Sequence, residues 1–259
     1  MFEEMLAAIE ASDKVLIGIG HELEHPFFSS DAVNNEDASF YYKAALDNDD
    51  MTKCCINGKE YSIDFSEYDK AYGLLKDVLK NKDYYIISLL MDDCIYRHFS
   101  PEDNVVTPCG GFRLMQCTKN PEHNKLYNYS DFSEGIEALI RKGEAIDKPI
   151  CEECKEMLGF NNISVDNYLE SGYIEKFAEY KKWLQSTVNR SLCIVELGVS
   201  MRYPQVIRFA FDKLCYYNQK SKFYRVNAGL YQHTAENSER GISVRENALK
   251  YILDGSEQQ

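Results

Sequence analysis

Short apolar runs alternate with amphipathic stretches along this chain. Phe2, Met5, Leu6 and Ile9 recur at helical spacing and predict an opening helix. The run KVLIGIG follows and ends in Gly18 and Gly20, which predicts a buried strand that turns sharply. Residues 27–60 carry an Asn/Asp-rich stretch with few periodic signals, and we read them as an irregular or helical excursion. Ser66-Glu67-Tyr68-Asp69 resembles a capping box, and the helix it opens places Tyr68, Ala71, Tyr72, Leu75 and Leu79 on one face. YYIISLL at 84–90 predicts a second buried strand and residues 104–107 a short third. Residues 133–142 have the pattern of a short helix inside a turn-rich region. Residues 174–187 predict a helix with Phe177, Tyr180, Trp183 and Leu184 inward. LCIVEL at 192–197 is the clearest buried strand, and Pro204 suits the first position of the next helix. Residues 223–226 predict a last strand, and a second capping-box signal at Ser243-Val244-Arg245-Glu246 introduces the closing helix.

Buried strands alternating with amphipathic helices predict an α/β fold, a Rossmann-like doubly wound parallel sheet with helices on both faces. We assign residues 1–108 and 171–259 to that domain, with the excursion at 27–66. Residues 109–170 form a small inserted cysteine-containing module of zinc-ribbon type. A length of 259 residues fits one domain carrying such an insertion. The charge count of 29 basic against 42 acidic residues gives a net of −13, which repels phosphate backbones and anionic lipid. We therefore expect neither a nucleic-acid nor a membrane partner. No apolar run approaches a membrane span, and the acidic start MFEEMLAAIEASDK is neither a signal nor a transit peptide. A cytoplasmic location is expected. There the nine cysteines are buried apolar residues, metal ligands or reactive thiols rather than a disulfide framework.

Four segments could carry chemistry. Gly18-Ile19-Gly20 forms a Gly-x-Gly turn that lets backbone amides approach a diphosphate, or simply a tight turn between strand and helix. Glu22 and Glu24 follow at once. At ~5 Å and an effective dielectric of ~20, each carboxylate repels a phosphate by roughly 3 kcal/mol. The same string, His21-Glu22-Leu23-Glu24-His25, also matches the H-E-x-x-H pattern of zinc hydrolases, although Pro26 follows directly and disfavours helical geometry. Cys151-Glu152-Glu153-Cys154 presents two thiols at zinc-ligand spacing, and Cys117 supplies a third. Asn120 stands where a second pair would need its cysteine, which leaves His123 or Cys109 as the fourth ligand. Finally, ELGVSMRYPQ places Gly198 and Ser200 in a loop after a buried strand, at the sheet edge where ligands bind.

Taken together, QCTKNPEHNKLY, ELGVSMRYPQVIRFAFDKL and YRVN resemble the sirtuins, NAD-dependent deacylases and ADP-ribosyltransferases. The likeness is nearest to the branch that works with macrodomains in bacteria and fungi. The resemblance implies NAD, zinc, and a macrodomain or lipoyl-carrier protein as partner. It places Gly18, Gly20, Ser88, Gly198, Ser200 and Asn227 against the cofactor. Within Ser88-Leu89-Leu90-Met91-Asp92, Leu90 stands where the family has an asparagine, and Asp92 is kept. Cys109 before Gly110 stands where the family has its catalytic base, so Cys109 and Asp92 are the candidate catalytic residues. The implied metal ligands are Cys117, Cys151 and Cys154, with His123. Fold-bearing strands are kept while the phosphate turn, the asparagine and the base are altered. This predicts a divergent sirtuin-like protein with weakened or altered NAD chemistry, acting as a nucleotide-binding or interaction module. An active NAD-dependent transferase, deacylase or hydrolase is the alternative, and a zinc hydrolase a minor one.

Overall fold

The structure is a computed structural model, and it describes residues 1–26, 51–56, 59–132 and 149–257. The helix expected at 133–142 lies outside them, as does the excursion between 27 and 50. In chain order the main elements are α1 (Phe2–Ala11), β1 (Lys14–Ile19), β2 (Met51–Ile56), β3 (Lys59–Asp64), α2 (Ser66–Leu79), β4 (Asp83–Ser88) and β5 (Val105–Val106). Then come β6 (Gly110–Cys117), β7 (Leu126–Asn128), β8 (Leu158–Asn162) and α3 (Ile174–Gln185). The chain closes with β9 (Leu192–Leu197), α4 (Arg208–Tyr217), β10 (Ser221–Val226), β11 (Gly241–Val244) and α5 (Ala248–Ser256).

Among the described residues, one sheet runs β11-β10-β9-β1-β4-β5, parallel throughout. β1 and β9 are buried at every position. That is the consequence of helices on both faces: alternate side chains meet opposite layers, so neither face has to be polar. Val15, Ile17 and Ile19 pack with Met5, Tyr72 and Ile252, under α1, α2 and α5. Leu16 and Ile194 pack with Tyr180, Phe211 and Cys215, under α3 and α4. The chain leaves β1 toward β4 on one side and returns through β9 on the other. Strand direction of travel therefore reverses beside β1, and the crevice at the carboxyl ends of β1, β4 and β9 is where such a sheet binds ligands. The small module contributes a separate antiparallel sheet, β7-β6-β8.

Several local expectations change. Met51–Ile56 and Lys59–Asp64, read as part of an irregular or helical excursion, form the antiparallel pair β2–β3. α2 begins at Ser66 with Phe65 at its N-cap and no side-chain cap there; the Ser66 N–H donates to Asp64 Oδ1 at 2.9 Å instead. Pro204 precedes α4 by four residues and lies in the turn leading to it, its carbonyl accepting the Phe209 N–H at 2.8 Å. The second capping-box signal falls on strand β11 and not on a helix start. The closing helix is capped by Asn247, which accepts the Lys250 N–H at 3.1 Å.

Candidate functional site

The two glycines of the first turn serve packing. A Cβ on Gly18 would meet Ile207 Cγ2 at 2.5 Å, so this glycine lets α4 approach the strand. A Cβ on Gly20 would meet the Val199 backbone at 2.4 Å, where the turns after β1 and β9 touch. Gly198 has a φ of +64° and its Cβ would collide with Glu22 Cβ at 2.4 Å, so glycine is required there twice over. Close packing thus constrains both residues, Gly18 within β1 and Gly20 just beyond its end.

Glu22 reaches from this turn across the crevice. Its Oε1 accepts the Ala228 N–H at 2.9 Å and its Oε2 accepts the Ala248 N–H at 2.8 Å. It thus ties the loop after β10 to the first residue of α5. Glu24 lies close enough to act electrostatically on His21, Asp92 and Cys109. His21 Nδ1 meets Ser200 Oγ at 3.2 Å, and partial burial holds the imidazole below its ordinary pKa, so it is neutral at pH 7. Ser200 Oγ also accepts the Arg202 N–H at 3.2 Å. Asn227 is fully committed: its amide nitrogen donates to the Val199 carbonyl at 3.1 Å, and its oxygen accepts the Gly229 and Leu230 N–H groups at 3.0 and 2.7 Å. Ser88 is buried and turns its hydroxyl to the Leu90 N–H at 3.3 Å.

The catalytic candidates are buried. Cys109 is 4% exposed, and burial pushes its thiol up to about 11, so it is protonated at neutral pH. Asp92 is 2% exposed and accepts the Cys94 N–H at 3.0 Å and the His25 N–H at 3.2 Å. Burial outweighs those bonds and raises its carboxyl to about 7. The folded protein therefore holds the Asp92 proton more tightly than the unfolded chain does. The resulting stability is complete below about pH 4 and is lost as pH rises to about 7. Asp92→Asn is expected to remove that pH dependence, on the order of 4 kcal/mol between pH 4 and 8 as read from urea midpoints, while the lost acceptor lowers stability equally at every pH.

The H-E-x-x-H string does not make a metal face. His21–Leu23 forms a single 3₁₀ turn and the chain is extended at Glu24 before Pro26, so the two imidazoles do not stack one α-turn apart. His21 faces Ser200, whereas His25 Nε2 meets the Asp64 carbonyl at 2.9 Å beside Phe65 and Tyr68.

Cys117, His123, Cys151 and Cys154 do converge, with all four donor atoms within 4.8 Å of one another. Cys117 Sγ lies 3.6 Å from Cys154 Sγ, and Cys151 Sγ lies 3.5 Å from His123 Nδ1. Tetrahedral zinc with bonds of ~2.3 Å to sulfur and ~2.0 Å to nitrogen spaces its donors by roughly 3.5–3.8 Å, so the donor set fits zinc. His123 Nε2 faces Asn120 at 3.0 Å and Glu153 at 3.6 Å, the outer-shell contacts that orient a ligating imidazole. Of the two proposed fourth ligands, His123 is the one that arrives; Cys109 packs in the opposite core layer.

Two features escaped the sequence reading. Asp93, left-handed at φ 55°, accepts the Phe112 N–H at 2.6 Å and fills the space a Gly111 side chain would need, which fastens β6 to the sheet edge. Beside it, Asp92, Asp93, Tyr96, Arg97 and Arg113 line a cleft of about 270 Å³. Glu196, inside the apolar run LCIVEL, is fully buried between Arg208 and Arg225 at 2.9 and 3.0 Å. A glutamate in a strand buried on both faces was the available signal.

Solved structures match this arrangement along nearly its whole length. Sir2Tm bound to a propionylated peptide aligns with a TM-score of 0.57, covering 99% of this chain and 98% of that one at 16% identity. A Sir2 homologue in complex with NAD aligns at 0.53, covering 99% and 93% at 12% identity. This chain has the sirtuin fold. No protein-family model and no curated protein matches the sequence. The sirtuin resemblance read from the ELGVS loop and the cysteine module is thus met at the level of the fold, including the parallel sheet and the Cys/His cluster.

Proposed function

We propose that this sirtuin-fold protein has weakened or altered NAD chemistry and serves as a nucleotide-binding or interaction module, with zinc held structurally by Cys117, His123, Cys151 and Cys154. Cys109 carries the reading. The residue at the position of the family's base is a protonated thiol buried in the core. Burial keeps its proton on; the Arg202 guanidinium favours the thiolate but does not offset that burial, and Glu24 opposes it. Three further positions point the same way. Leu90, at the place of the family's asparagine, is 3% exposed and has no group to hold ribose or water. Asn227 has its amide nitrogen and oxygen spent on its own loop. Glu22 and Glu24 set carboxylates at the turn that would meet the diphosphate, so NAD in the family's pose does not fit these residues.

Helices reach no membrane-spanning length and apolarity among the described residues. A macrodomain or lipoyl-carrier partner follows from the resemblance of the ELGVS and QCTKN segments to the macrodomain-linked branch, and belongs to the interaction side of this proposal. The test is nicotinamide release from NAD, followed by mass spectrometry. None is expected above the level of a Cys109→Ala control. Turnover that this substitution abolishes would replace the proposal with an enzyme using a thiol base.

A further inference from the structure

Glu22 sets a carboxylate at the crevice edge and spends both of its oxygens on backbone N–H groups there. We infer that Glu22 is an intramolecular stand-in for a ligand's anionic group, and so a specificity determinant that turns nucleoside diphosphates away. The inference rests on the nucleotide-binding reading above and specifies the charge of the ligand.

Three observations carry it. First, both carboxylate oxygens are committed to backbone N–H groups of segments far away in sequence, Ala228 and Ala248. A glutamate serving only its own turn would bond within it. Second, Ala248 opens α5, where the helix dipole favours negative charge, and the cap residue Asn247 satisfies Lys250 instead, which leaves the Ala248 N–H to Glu22. Third, Glu22 is held at its base as well as its tip. Its N–H donates to the Gly198 carbonyl at 3.3 Å, and its Cβ occupies the space denied to a Gly198 side chain. It is therefore a fixed strut and not a swinging arm. A phosphate arriving here must either break two charge-assisted hydrogen bonds or settle beside a carboxylate. A nucleoside carries no such charge.

The experiment is calorimetric titration of the wild-type protein, Glu22→Gln and Glu22→Ser with adenosine and with ADP-ribose, each variant first checked for a cooperative melt. Glu22→Gln keeps the size of the side chain and removes its charge. ADP-ribose is expected to bind both variants at least tenfold more tightly than wild type, while adenosine changes less than threefold. Should neither variant fold, the wild type alone decides: tighter binding of adenosine than of ADP-ribose is expected, and ADP-ribose tighter by tenfold overturns the inference. Adenosine binding with an ADP-ribose affinity indifferent to residue 22 overturns the role of Glu22 alone. Absence of adenosine binding to every folded form overturns the nucleotide-binding reading as well.

Discussion

Glu196→Ala is expected to destabilise the protein by about 3–5 kcal/mol, the cost of stranding buried charges. Glu196 is completely inaccessible, and its two oxygens take Arg208 Nη2 at 2.9 Å and Arg225 Nη2 at 3.0 Å. Burial raises the Glu196 carboxyl and the two guanidinium groups oppose that rise. Asp212 adds a second acceptor to Arg225 at 3.1 Å, and the arginines hold the Leu230 and Gln232 carbonyls of the loop after β10. Removing Glu196 leaves two guanidinium groups, 6% and 2% exposed by residue, with Asp212 as the remaining carboxylate on Arg225. Urea denaturation should show a lower midpoint at unchanged slope. Replacing Glu196, Arg208 and Arg225 together by apolar residues of similar volume is expected to cost less than the single change, because only the partly exposed Asp212 then loses an ion-pair partner. A single-change cost below about 1 kcal/mol would show that water reaches these groups.

Loss of zinc is expected to have a larger effect still. Apparent binding energies of structural zinc run to about 10–16 kcal/mol, and in a module this small they amount to folding energy. Purified protein should carry about one zinc per chain, as one four-donor site requires. Chelation should lower the melting temperature by about 10 °C or more, with loss of the β7-β6-β8 sheet before the parallel one. His123→Ala should reduce zinc content steeply, whereas His123→Cys should retain it, because a thiolate also completes a tetrahedral set. Elemental analysis reads both. Zinc content indifferent to His123→Ala would remove this residue from the site.

The parallel sheet was legible because its strands are buried on both faces and so appear as unbroken apolar runs: LCIVEL was bounded to the residue at Leu192–Leu197. β11 was missed because Gly241-Ile242-Ser243-Val244 is an edge strand of four residues with mixed exposure, and its polar positions imitate a helix cap. All four members of the Cys/His cluster were legible, the C-x-x-C pair by local spacing and Cys117 and His123 as its partners, although the choice of His123 over Cys109 is made only by the fold. The role of Glu22 was legible only as charge. Its hydrogen bonds span 206 and 226 residues of sequence, and nothing local to HELEH announces Ala228 or Ala248 as partners. The glycines were legible as a sharp turn, but not the packing that α4 and the turn after β9 impose on Gly18 and Gly20.

The central claim is that the sirtuin fold is kept here with weakened or altered NAD chemistry, and the proton NMR spectrum of NAD incubated with zinc-loaded wild-type protein tests it most directly. The nicotinamide resonances should remain those of intact NAD over hours, at the rate of a protein-free control. Steady growth of free nicotinamide in proportion to protein concentration would contradict the claim.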